Sequence, residues 1–282
     1  MSNKDERREN FKFPARLHVL LARNTKVGVV IRRGPSKSVC TILWDRQRDT
    51  FKLGQWMRGR IYERRCDLSP DGRMLIYFAM NGRWESETKG SWTAISRVPF
   101  LKAISLFAKG DCWHGGGLFL SDREFWLNDG HGHTELKSSN RLKRSANGRP
   151  PDYFGGECLT VYYNRLRRDG WAMHDEEYQG ATLFEKKLPK SWRLRKLAFA
   201  ESTIGAPPGQ GCYWDAHELR HESTNTVLAF PEWEWVDYVD GRLVWAVEGQ
   251  LRAAYLGRGE LLREKLLYDF NGMKFEAIKA PY

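Results

Sequence analysis

A short polar turn between two apolar runs recurs along the chain, and it is clearest at "CDLSPDGRMLIYFAMNG" (66 to 82). There Ser69-Pro70-Asp71-Gly72 supplies turn chemistry, because proline fixes its own φ and glycine tolerates positive φ. The following "RMLIYFAM" is short, bulky and without helical period, as expected of a strand. Related units stand at "VLLARNTKVGVVI" (19 to 31), "GLFLSDREFWLNDG" (117 to 130) and "WVDYVDGRLVWAVEG" (235 to 249). Their turns centre near 25, 71, 122 and 240, so the first intervals are about 46 and 51 residues. The last gap, about 118, holds two intervals with a degenerate unit at "FEKKLPKSWRLRKLAFA" (184 to 200). A second hairpin within the first unit is visible at "CTILWDRQRDTFKLGQW" (40 to 56).

Five units of this length, each with about four short strands, predict an all-β chain built as a β-propeller of five blades, with a β-sandwich or another all-β form as the alternative. Twelve Trp, eleven Tyr and fourteen Phe beside 26 Gly fit aromatic-rich strands joined by tight turns. "LSPDGRMLIYFA" resembles the Ser-Pro-Asp-Gly repeat of TolB-like and WD40-like β-propellers, and "LWD" before a turn resembles the strand ending of WD repeats. Leu120-Ser121-Asp122-Arg123 and Val239-Asp240-Gly241-Arg242 match it in part. The resemblance implies architecture and not activity, since one fold hosts many functions. The domain reading is a polar N-terminal tail over 1–10 and one propeller over 11–282, with a basic loop insertion at about 131–156. The C-terminal stretch 261–282 is expected to supply the last strands and close the ring against the segment around Leu17 to Val30.

The start, "MSNKDERRENFKF", has no apolar h-region, and no uncharged apolar run is long enough to cross a bilayer. A cytoplasmic location and no membrane span are therefore expected. Cys40, Cys66, Cys112, Cys158 and Cys212 are odd in number and lack a Cys-x-x-Cys pair, which fits reduced thiols, most of them small core residues.

His217-Glu218-Leu219-Arg220-His221 matches the His-Glu-x-x-His pattern of zinc peptidases. That chemistry needs the two histidines on adjacent helical turns, roughly 6 Å apart, with Glu218 polarising water. On an extended strand they would be about 13 Å apart and could not share an ion. Upstream "GAPPGQGCYWD" and downstream "STNTVLAFPEWEW" leave little room for a helix. Cys212-Tyr213-Trp214-Asp215 also parallels the Cys40…Trp44-Asp45 segment, which puts His217 to His221 in a turn between two strands. No third ligand stands in the metzincin position, although Glu232 or Glu234 could be proposed for a gluzincin-like site. A second cluster, Cys112, His114, His131 and His133, flanks one predicted hairpin whose ends meet, but histidines beside glycine usually serve turns.

No Walker loop, Gly-x-Ser-x-Gly elbow or complete dinucleotide fingerprint occurs, so no cofactor is expected. The glycines at 115 to 117 read as close backbone packing or a loop. Among 35 Asp and Glu residues no spacing singles out a catalytic pair. The formal charge of +11 favours polyanionic partners without choosing among them.

Three basic stretches are candidate binding segments. The first, 137–156, carries Lys137, Arg141, Lys143, Arg144 and Arg149; the second, 164–171, carries Arg165, Arg167 and Arg168. The third, 186–196, carries Lys186, Lys187, Lys190, Arg193, Arg195 and Lys196, with Trp192 and Leu194 alternating against Arg193 and Arg195 as in a half-exposed strand. Gathered on one face, with Trp171 or Trp192 for stacking, they would suit a nucleic-acid backbone. The leading expectation is a non-catalytic propeller that docks a protein partner through loops on one face. Nucleic-acid binding and a zinc-dependent hydrolase are the alternatives.

Overall fold

The computed structural model describes residues 13–34, 37–130, 132–155, 158–200 and 213–282. Among the described residues strand makes up 52% and helix 5%, an all-β architecture. The first sheet is β1 (Arg16–Leu21), β2 (Val27–Arg33), β3 (Ser38–Asp45) and β4 (Thr50–Arg58), in that spatial order. The second contains β5 (Arg60–Ile61), β6 (Asp67–Leu68), β7 (Met74–Met80), β8 (Ser91–Arg97) and β9 (Ala103–Ala108), with a 3-10 turn at Glu63–Arg65. The third begins with β10 (Gly117–Phe119) and β11 (Glu124–Leu127). The chain then returns to the second sheet as β12 (Thr134–Lys137), paired with β9, before β13 (Lys143–Arg144) joins β11 in parallel. After helix α1 (Leu159–Arg168), β14 (Ala172–Tyr178), β15 (Ala181–Leu188), β16 (Trp192–Ala200), β17 (Tyr213–His221) and β18 (Thr226–Phe230) form the fourth sheet. The fifth is β19 (Trp235–Val239), β20 (Arg242–Val247), β21 (Gln250–Leu256) and β22 (Leu261–Asp269).

All ladders but β11·β13 are antiparallel, as short strands joined by tight turns require. The four clear hairpins are β1–β2, β6–β7, β10–β11 and β19–β20, each the first of its sheet. Asp240 and Gly241 both take positive φ (53° and 82°) in a two-residue loop, the geometry whose twist matches the flanking strands. The degenerate unit is the hairpin β15–β16, one strand further into its sheet than the others, which is why the spacing around it is irregular. The basic excursion is partly strand, because β12 and β13 close the edges of two different sheets. The 1–10 tail lies outside the described residues.

The core consists of clusters shared between sheets. Leu20, Val29, Leu75 and Tyr77 join the first and second; Ile76, Phe107, Phe119 and Phe125 join the second and third. Phe184, Leu194, Leu219, Leu243 and Trp245 join the fourth and fifth, and Val19, Val30, Trp44, Val244 and Leu251 join the fifth back to the first. Between the third and fourth sheets stands α1, which touches β10 on one side and β14 on the other. Its Leu159, Tyr162, Tyr163 and Leu166, at helical spacing, enter the same core as Phe184 and Trp171.

Past β22 the chain continues without regular structure across the first sheet to the second. Phe275 packs on Trp56, the Ile278 carbonyl accepts from Gln55 Nε2 at 2.7 Å, and Tyr282 donates to the Lys102 carbonyl at 2.8 Å. The stretch 261–282 thus supplies one strand and then a strap. Cys40, Cys66 and Cys158 are buried, Cys112 is partly exposed, and Cys212 lies outside the described residues. Among the described residues no helix is long and apolar enough to cross a membrane.

Candidate functional site

The turns of the first hairpins meet at one end of the molecule. Asn24 N donates to the Pro70 carbonyl at 2.9 Å, Asp71 N donates to Asp122 Oδ1 at 2.8 Å, and Lys26 is ion-paired with Asp240. Inside this rim lies a cavity of about 610 Å³ that runs from Arg23, Arg46 and Asp240 inward to His18, Tyr162 and Lys196. Its walls carry six cationic side chains, Arg23, Arg46, Arg165, Arg168, Lys186 and Lys196, against four carboxylates.

Each carboxylate is engaged. Asp67 accepts from Arg168 at 2.7 and 2.9 Å and from Phe119 N at 2.8 Å. Asp169 accepts from Arg168 at 2.8 Å, Asp237 from Lys186 at 2.7 Å, and Asp240 from Lys26. The ammonium groups of Lys186 and Lys196 lie 4.9 and 5.2 Å from the centre of the Trp171 ring, so this buried indole holds two lysines and is closed to stacking.

Beneath the cavity lies a buried polar network that the sequence reading missed. Asp215 accepts from Tyr162 Oη at 2.6 Å and Arg64 at 2.8 Å, with Lys196 Nζ 3.5 Å away. Burial opposes the charge on Asp215, but Arg64 and Lys196 outweigh it and hold the carboxyl far below its ordinary range. Burial pushes the Tyr162 hydroxyl up, with Asp215 adding to the effect. On the other side Arg165 donates to His18 Nε2 at 2.8 Å and to the carbonyls of Glu63 and Cys66. Burial first and Arg165 second keep His18 neutral. The spacing of Leu159, Tyr162, Tyr163 and Leu166 was the one sequence signal for the helix that brings Tyr162 and Arg165 here.

The His-Glu-x-x-His residues are not in a turn but in strand β17, and the turn follows at 222–225. The parallel with Trp44-Asp45 also fails, because that pair ends β3 whereas Trp214-Asp215 begins β17. His217 and His221 are buried, and each ring is held by its neighbours. His217 Nδ1 bonds to the Trp233 carbonyl at 2.9 Å and Nε2 to Lys196 Nζ at 2.8 Å, while His221 Nδ1 bonds to Thr224 Oγ1 at 2.6 Å. Glu218 is 3.5 Å from Arg220, and Glu234 is paired with Arg16 at 2.7 Å.

In the second cluster, His133 bonds to Asp129 at 2.6 Å and Thr93 at 3.1 Å, and the His114 ring lies against the backbone of Gly130. His131 lies outside the described residues. Among the described residues no three His, Cys, Asp or Glu side chains converge as a metal site. Gly116, at φ 73°, lies so close to Arg65 that an added Cβ would stand 1.9 Å from its carbonyl oxygen, which is the close packing expected of the triple glycine.

Most cations of the three basic stretches are engaged within the fold. Arg165 is buried, Arg168 is fixed by Asp67 and Asp169, and Arg167 is paired with Asp152. Arg193 and Arg195 share Glu185 at 2.6 and 2.9 Å, and Arg193 also pairs with Glu222. Lys190 donates to the Leu256 carbonyl at 2.6 Å, and Arg144 is paired with Asp129 at 2.5 Å. Trp192 is 1% exposed and donates to the Gly257 carbonyl at 2.8 Å, so it is a core anchor and not a stacking platform. Arg141 and Lys143 are exposed, and Arg149 lies over the Tyr153 ring.

Two exposed tryptophans stand instead at the end away from the cavity mouth, on loops opposite the β6–β7 and β10–β11 turns. Trp84, in the β7–β8 loop, is 51% exposed, and Trp113, in the β9–β10 loop, is 54% exposed. These loops lie side by side, tied by Ser91 Oγ donating to the Asp111 carbonyl at 2.6 Å and by Lys109 N donating to the Ser91 carbonyl at 2.9 Å. No protein-family model matches the chain, and no curated protein sequence matches it.

Proposed function

We propose that the chain is a five-bladed β-propeller that acts as a non-catalytic binding module and docks a protein partner through loops at one end. The blade reading is supported by core clusters between neighbouring sheets, with α1 between the third and fourth, and by hydrogen bonds between successive hairpin turns. The partner reading rests on one observation: Trp84 and Trp113 are half exposed on adjacent, mutually braced loops. Large rigid aromatics at low conformational cost are the usual anchors of protein interfaces. A nucleic-acid surface is less favoured, because most cations of the three basic stretches are committed to carboxylates, carbonyls or the core.

The test is affinity capture from the host lysate with the full chain, a W84A/W113A variant and an R141Q/K143Q variant, each at low and high salt. A protein that stays bound at high salt and is lost only with W84A/W113A supports the reading. Recovery of nuclease-sensitive material that falls away as salt rises and depends on Arg141 and Lys143 would overturn it.

A further inference from the structure

The charges in the cavity wall do not balance among themselves. Its carboxylates are held by Arg168, Lys186 and Lys26, whereas Arg165 and Arg23 have none of their own and Arg46 only shares Asp240 with Lys26. Arg165 spends its hydrogen bonds on two carbonyls and His18, and Arg23 donates to the Phe119 carbonyl at 3.2 Å. Neither is ion-paired with a carboxylate among the described residues. Arg46 donates to the carbonyls of Thr25 and Ala22 at 2.5 and 3.5 Å. It is 9% exposed, and its Nε has no hydrogen-bond acceptor; the nearest carboxylate oxygen, Asp240 Oδ2, lies at 3.7 Å and belongs to an acid already paired with Lys26.

We propose that this cavity binds a small molecule carrying a phosphate or carboxylate group, held by Arg23 and Arg46 near the mouth and Arg165 deeper in. A guanidinium offers a planar fork of donors that fits either oxyanion, and it bonds most strongly where little water competes. Most acceptors of the wall are already taken, His18 Nε2 by Arg165, Asp67 and Asp169 by Arg168, Asp237 by Lys186 and Asp240 Oδ1 by Lys26. The volume, about 610 Å³, lies within the range of small-molecule sites and exceeds that of a bare anion. Leu21 and Val236 supply an apolar wall for the body of the ligand. The site is independent of the loops carrying Trp84 and Trp113.

Calorimetric titration of the full chain with inorganic phosphate, pyrophosphate and citrate, with glycerol as the neutral control, tests this. The expected result is saturable binding of at least one anion at one per chain and no heat with glycerol. R46Q and R23Q should each weaken it about tenfold, the loss of one charge-assisted contact. R258Q, on an exposed residue outside the cavity, should leave it unchanged. Arg23 is exposed at the rim, so R23Q carries the test even if R46Q fails to fold. Binding of the phosphates alone identifies a phosphoryl ligand, and binding of citrate alone a carboxylate. No binding of any of the three, or equal affinity in R23Q and the unaltered chain, would overturn the proposal.

Discussion

His217 accepts a hydrogen bond from Lys196 across the β16–β17 ladder, Nζ to Nε2 at 2.8 Å. A protonated lysine has only donors, so Nε2 must be the bare nitrogen and Nδ1 carries the proton given to the Trp233 carbonyl. The imidazole is thereby neutral and fully used. Burial, followed by the charge on Lys196, depresses its pKa well below the ordinary 6.5. A zincin-type site would need this ring and His221 on successive helical turns, and both lie on one extended strand.

The first prediction concerns metal. Adding zinc to the purified chain, or removing divalent ions with a chelator, is expected to leave Tm unchanged, and H217Q should not alter metal content. Stoichiometric zinc lost on H217Q would contradict the strand geometry.

The second concerns pH. His18 and His217 both have folded pKa values well below 6.5. Below that value the unfolded chain takes up protons that the folded chain refuses, so stability is full above pH 6.5 and falls as pH drops. Each histidine contributes a slope of up to about 1.4 kcal/mol per pH unit. Glu234, raised by burial to about 7, acts in the opposite sense, its contribution fading as pH rises from 4.5. The difference between the unaltered chain and H217Q isolates one histidine. Urea unfolding should show that difference shifting in favour of H217Q as pH falls below 6.5; a pH-independent difference would count against a buried neutral His217.

The third concerns Tyr162→Phe. It removes one donor from the buried Asp215 carboxylate and leaves the ring in place. Unfolding free energy is expected to drop by about 1–3 kcal/mol with little change in m-value. A change near zero would mean that Arg64 and Lys196 suffice for Asp215.

The fourth concerns the strap beyond β22. Deleting residues 275–282 removes the Phe275 packing on Trp56, the Gln55 hydrogen bond to Ile278, buried Ala280 and the Tyr282 contacts. The expected loss is about 2–4 kcal/mol, read as a lower Tm. An unchanged Tm would show that the first and second sheets hold together without it.

Hairpins were legible because turn chemistry is local. Ser69 to Gly72 and Asp240-Gly241 carry their conformation in their own residue types, and the apolar runs beside them are strands in the structure. Tyr162 and Arg165 could have been placed on a helix from the spacing of Leu159, Tyr163 and Leu166, but Arg64, Lys196, Asp215 and His18 of the buried network carried no such signal.

The sequence by itself determined an all-β chain and the positions of its principal turns, since φ preferences and the two-residue period of a strand act over a few neighbouring residues. Only the tertiary structure decided what the charged and aromatic side chains do. Trp192 became a core anchor, Arg193 and Arg195 shared Glu185, and Arg23, Arg46 and Arg165 came to line one cavity. A charge is free or neutralised according to which distant segment lies within a few ångströms of it, and that proximity is set by the packing of whole sheets.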